Sequence, residues 1–145
     1  MSDSLPSNHF LHRGAYRIDA AIASGGFGIT YRATRTHDGQ PVVIKELFPS
    51  DLVDRDPDGI SVTVRTNDRE FEQCHFWFIR EATFLKKLDH PNVVTVTDTF
   101  VENGTAYYAM PDLGGTDLEA FITSSAAQPT DADLIDLFAP LVDAL

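Results

Sequence analysis

Three features of this sequence have residue types and spacing suited to chemistry. A glycine cluster, Ala23-Ser24-Gly25-Gly26-Phe27-Gly28, precedes a β-branched run. Lys45 closes the apolar run Val42-Val43-Ile44, and Glu81 lies in an otherwise apolar helical stripe. An ammonium at the end of an apolar strand is costly to bury unpaired, so Lys45 calls for an anion, either a carboxylate or a phosphate. Glycines let backbone N–H groups approach a ligand without an intervening side chain. A Walker loop needs Gly-Lys-Ser/Thr, which the sequence lacks. A dinucleotide fingerprint needs a helix after its glycines. Here Ile29-Thr30-Tyr31 and a turn signal at Asp38-Gly39 follow instead. The remaining design joins two strands through glycines and takes its lysine from the third strand. Only that one fits.

The elements that must position these groups are readable in order. Tyr16–Ile22, Ile29–Thr36 and Pro41–Leu47 alternate as strands, the last two joined by Asp-Gly. Residues 1–15 read as a flexible lead-in and 48–66 as an insertion, with Asp56-Pro-Asp-Gly59 as a turn and Ile60–Val64 as a short extra strand. A main helix is expected from about Asn67, with Glu70 at capping-box spacing, to about Asp89, where His90-Pro91 stops it. Cys74, Phe78, Glu81, Leu85 and Leu88 recur at helical spacing on one face. Glu81 is then either a stripe-edge carboxylate reaching water or a partly buried one that needs a cation, for which Lys45 is available. Val93–Val101 and Thr105–Met110 around Asn103-Gly104 read as a second hairpin. Two further helices start near Thr116 and Thr130, the last with Leu134, Phe138, Leu141 and Leu145 on its apolar face. The fold class expected is α+β: a five-stranded antiparallel sheet with one main helix, then short helices.

Composition narrows the function classes. The chain has 145 residues, 43% of them apolar, enough for a core. Its net charge of −11 argues against nucleic acid or an anionic membrane as partner. A lone Cys74 suits a reducing cytoplasm, and no signal peptide or membrane span is visible. The five histidines and Cys74 lack metal-ligand spacing, so no metal site from protein ligands is expected. Asp98 and Asp112 read as solvated.

In order along the chain, SGGFGITY at 24–31, VVIKELFPSDL at 42–52, EATFLKKLDHPNVV at 81–94 and AYYAMPDLGGTDL at 106–118 resemble the N-terminal lobe of protein kinases. The likeness is greatest to bacterial serine/threonine kinases of the eukaryotic-like fold. It implies an N-lobe over 16–113, with a glycine loop at 23–28, and an incomplete start of the helical C-lobe over 114–145. It further implies ATP as cofactor, with Gly25, Gly26, Phe27 and Gly28 over its phosphates beside Ala23 and Ser24. Lys45 would contact the α- and β-phosphates, and Glu81 would hold Lys45 in position. Ile22, Thr30, Val43 and Met110 would line the adenine slot, and backbone groups of Pro111 and Leu113 would meet the adenine edge.

There are departures from the family pattern. Ala23 stands for the first loop glycine, Val43 for an alanine above the adenine, and Thr30 for a valine. No His-Arg-Asp or Asp-Phe-Gly occurs, and His12-Arg13-Gly14 is a superficial echo. The family takes its catalytic base and Mg²⁺ ligands from those loops. The expectation is an ATP-binding portion of a Ser/Thr kinase, inactive alone, with Mg²⁺ and the protein substrate engaged only by a complete enzyme through a missing C-lobe. The alternative is a non-catalytic kinase-fold interaction module, self-associating through the exposed last helix.

Overall fold

The computed structural model describes residues 3–65, 68–116, 118–124 and 130–144. Two compact units divide them. One takes in Met1–Leu88 and Thr95–Asp112, the other Asp89–Val94 and Leu113–Leu145.

The first unit is built on an antiparallel sheet of β1 (Phe10–Leu11), β2 (Tyr16–Gly25), β3 (Gly28–Arg35), β4 (Pro41–Leu47), β7 (Asp98–Glu102) and β8 (Thr105–Pro111), in the order β1-β2-β3-β4-β8-β7. The sheet has six strands where five were expected, because the two-residue β1 adds an edge. The polar lead-in is packed rather than loose: Leu5 and Leu11 are buried, and the Leu5 N–H donates to the Tyr31 hydroxyl at 3.1 Å. Between β1 and β2, His12, Arg13 and Gly14 all take positive φ, so the echo of a catalytic motif is a left-handed turn. Two extra residues bulge from β2, at Asp19 and at Ile22.

Strand alternation separates two sheet faces. Val42, Ile44 and Glu46 of β4 are buried with Ile29, Tyr31 and Tyr107, whereas Val43 and Lys45 point the other way and are half-buried. The insertion supplies a second sheet, β5 (Val53–Arg55) paired with β6 (Val62–Val64). Only the second of these strands was expected. This hairpin docks on the β7–β8 turn, where Val62 N–H donates to the Asn103 carbonyl at 2.8 Å. Asn103 and Gly104 both have positive φ, the twist that a two-residue hairpin favours. A Cβ on Gly104 would stand 2.5 Å from the Val62 carbonyl oxygen, so that position requires glycine.

Helix α1 (Asp68–Lys87) has Asp68 and Glu70 in its first turn and Lys86 and Lys87 in its last, each favourable to the helix dipole. Its expected cap at Asn67 lies outside the described residues. The buried line of α1 is Phe71, Phe78 and Ala82. It is rotated from the expected stripe, which leaves Glu81 on the rim. Residues 93–97 were expected in a strand, but β7 begins only at Asp98. The preceding segment turns at His90, with Val93 N–H donating to its carbonyl.

In the second unit, α2 spans Leu118–Ser124 and α3 spans Asp131–Asp143. Thr130 caps α3 reciprocally with Asp133, as its sequence position suggested. Asn92 donates to the Pro140 carbonyl at 3.0 Å, and His90 lies 3.5 Å from Asp143. Leu134, Phe138 and Leu141 are exposed on α3, and Leu145 lies outside the described residues.

Candidate functional site

Strand register builds the site. Lys45 is opposite Thr30 on one side and Tyr108 on the other, and Ala23 is opposite Thr30. One step along, Val43 is opposite Arg32 and Met110. Directly opposed residues share a face, so Ala23, Thr30, Val43, Lys45 and Met110 lie together. Helix α1 packs against this same face, with the Phe78 ring 4.9 Å from that of Tyr108.

That packing brings Glu81 to the lysine. The Lys45 Nζ is 3.8 Å from Glu81 Oε1, with the side chains 35% and 51% exposed. A pair this wet contributes little to stability, about 0–1 kcal/mol. Its geometry matters more than its energy.

A third member escaped the sequence reading. The Tyr108 hydroxyl donates to the same Glu81 Oε1 at 3.1 Å, and its ring centroid is 5.6 Å from Lys45 Nζ, within cation–π range. Burial, and then the charge of Glu81, hold this phenol well above its ordinary pKa. It therefore remains a donor. The signal was available: Tyr108 is two residues before Met110, so strand periodicity puts both on one face.

The glycine loop closes one end. Gly25 pairs with Gly28 across the β2–β3 turn, and the carbonyls of Gly26 and Phe27 accept from Ser50 and Phe48 N–H at 3.3 and 3.2 Å. Gly28 is needed for packing, because a Cβ there would stand 2.5 Å from the Glu46 carbonyl oxygen. Gly25 and Gly26 have open space where a Cβ would point and no positive φ. Local packing therefore does not explain them. An open cradle beside an ammonium fits a phosphate group.

A cavity of about 260 Å³ lies between the loop and α1, walled by Phe27, Leu47, Cys74, Trp77 and Phe78, with Lys45 and Glu81 at its polar side. Val43 and Met110 line the neighbouring sheet face rather than the cavity. Ile22, Ala23, Ser24, Gly25, Gly26 and Phe27 are exposed, as is Pro111 at the end of β8. Leu113 is exposed and belongs to the second unit. Asp98 and Asp112, expected to be solvated, have partners: Asp98 accepts from the Tyr16 hydroxyl at 3.2 Å, and Asp112 pairs with Arg32 at 3.3 Å.

Behind the site, on the opposite sheet face, Glu46 is fully buried. Its carboxylate accepts from Tyr31 at 2.6 Å, Tyr107 at 2.8 Å and Arg55 at 2.7 Å. Arg55 also donates to the carbonyls of Asp3 and Ile60, tying lead-in and insertion to β4.

A glycine-bridged strand pair, a lysine on the next strand and a carboxylate from the following helix define a protein-kinase N-terminal lobe. The chain belongs to the protein tyrosine and serine/threonine kinase family, whose profile matches residues 16–145. Among its relatives is the probable serine/threonine-protein kinase YbdM of Bacillus subtilis, 25% identical over 88% of this chain and 43% of that protein. Another is the serine/threonine-protein kinase pkn3 of Myxococcus xanthus, 32% identical over 74% of this chain and 17% of that one. Among solved structures, PpkA-294 in its apo form matches with a TM-score of 0.90 at 33% identity, covering 99% of this chain and 50% of that one. The Mycobacterium tuberculosis PknI kinase domain shares the fold at a TM-score of 0.67 and 18% identity, over 97% of this chain and 49% of that one. The chain therefore spans about half or less of the proteins it matches.

Proposed function

We propose that this chain is the ATP-binding N-terminal portion of a protein serine/threonine kinase. The observation that carries the reading is the Lys45–Glu81–Tyr108 cluster beside an open glycine cradle. In this reading, Gly25, Gly26 and Gly28 cover the nucleotide phosphates and Lys45 binds the α- and β-phosphates. Glu81 keeps Lys45 from swinging into solvent. Ile22, Thr30, Val43 and Met110 flank the adenine, whose edge meets the backbone of Pro111.

The transferring chemistry belongs to the complete enzyme. Phosphoryl transfer rests on positioning, on metal-borne charge stabilisation and on a base that accepts the hydroxyl proton. The residues that supply the base and hold Mg²⁺ in this family have no counterpart in the sequence. Among the described residues, no cluster of three His, Cys, Asp or Glu is placed to hold a metal. These 145 residues by themselves bind nucleotide and leave its γ-phosphate in place.

Titration calorimetry with a non-hydrolysable ATP analogue tests the reading. Lys45→Met weakens binding by about tenfold or more, the loss of a charge-assisted contact. Saturable binding indifferent to that change would remove Lys45 from the role. A second reading, a non-catalytic interaction module, draws on the exposed apolar residues of α3. A monodisperse dimer that ignores nucleotide would favour it.

A further inference from the structure

We propose that the outward face of α1 is a docking surface for an acidic protein segment bearing two apolar side chains. Phe76 and Phe84 are 57% and 62% exposed there, although burying such rings is strongly favourable. Eight residues separate them, about 12 Å along a helix. Between and beside them lie Arg80, Thr83 and Lys87, and together these residues line an open groove of about 380 Å³. Arg69 falls on the same side by helical spacing, with Glu72 as an acid at its edge.

Charge selects the occupant. Acids outnumber bases 22 to 11 in this chain, yet this aromatic groove is flanked by cations. The Arg80 guanidinium lies over the Trp77 ring, its carbon 5.1 Å from the centroid. Stacking engages the plane of the fork and leaves its N–H edge for a bidentate carboxylate. Lys87 offers a second cation about 10 Å further on. A nucleic acid or an anionic bilayer would meet the repulsion of a chain carrying −11 net charge, whereas a short acidic segment engages only the local patch. The surface does not depend on the nucleotide reading, because it lies on the other side of α1 from Phe78.

Fluorescence anisotropy on the full chain tests the proposal. The probe is a fluorescein-labelled, glutamate-rich helical peptide of about 15 residues with two leucines two turns apart. Saturable binding is expected, with Kd on the order of 10–100 μM. Arg80→Glu/Lys87→Glu weakens it by about tenfold, as does Phe76→Ser/Phe84→Ser. Both double variants remain folded, with melting temperatures a few degrees at most below the parent's, because the altered side chains are exposed and Lys87→Glu forfeits only a favourable helix-end charge. The same peptide with lysine for glutamate does not bind. Absence of saturable binding, or binding indifferent to charge reversal, overturns the proposal. So does preferential capture of phosphatidylserine vesicles. A concentration-dependent dimer abolished by the same variants would assign the face to a second copy and overturn it too.

Discussion

Tyr108 and Glu46 show how single side chains divide the labour of one sheet. Tyr108 holds Glu81 beside Lys45, and the half-exposed carboxylate can exchange that hydrogen bond for water. Tyr108→Phe therefore lowers stability by less than about 1 kcal/mol. In the proposed reading it also weakens ATP-analogue binding severalfold, because Glu81 is no longer held in place; paired melting and calorimetry separate the two effects. Glu46 behaves oppositely. Its partner Arg55 is nearly buried, and removing one member strands a charge in the core. Arg55→Ala costs about 3–5 kcal/mol in urea unfolding. Lys45 and Glu81 were legible from type and spacing. Glu46 was not singled out, although its alternation with Val42 and Ile44 placed it on the core face.

At the scale of elements, the glycine loop separates packing from binding. Gly28→Ala forces a Cβ into the β4 backbone and costs about 1–3 kcal/mol. Gly26→Ala meets nothing and keeps stability within about 0.5 kcal/mol, yet in the proposed reading the added methyl occupies the cradle and reduces analogue affinity. Thermal melts of the two variants, followed by calorimetry on Gly26→Ala, check both statements. The central strands were readable because alternation and the turns at Asp38-Gly39 and Asn103-Gly104 agreed. Strand β5 was hidden because Val53-Asp54-Arg55 is too short to carry a periodicity. The packing of the lead-in depends on the distant hydroxyl of Tyr31, which no local pattern reports. The face of α1 shifted because Ala82, small and easily passed over, sits deepest against the sheet.

Across the whole molecule, all four tyrosines give their hydroxyls to carboxylates: Tyr16 to Asp98, Tyr31 and Tyr107 to Glu46, and Tyr108 to Glu81. Burial first, and then the neighbouring charge, push Tyr16 up to about 12 and the other three further. A raised folded-state pKa means the native chain keeps protons that the unfolded chain releases. The stabilisation is thus complete below pH about 10 and falls as pH rises towards 12. Near-ultraviolet tyrosinate absorbance should stay silent until the fold is lost, then appear together with loss of circular dichroism. Gradual titration of separate phenols in folded protein would contradict the hydrogen-bond pattern. The α+β class and the family were legible from ordered motifs, whereas this tyrosine–acid pattern emerges only once strands from distant segments are aligned. The neighbours Lys45 and Glu46 carry a last consequence. With opposite charges turned to opposite sides of one strand, sliding that strand by a single position would seat the ammonium among the tyrosines and leave the carboxylate facing the cradle. Correct alignment is thereby enforced by electrostatic exclusion of its nearest competitor, independently of the turn that precedes it.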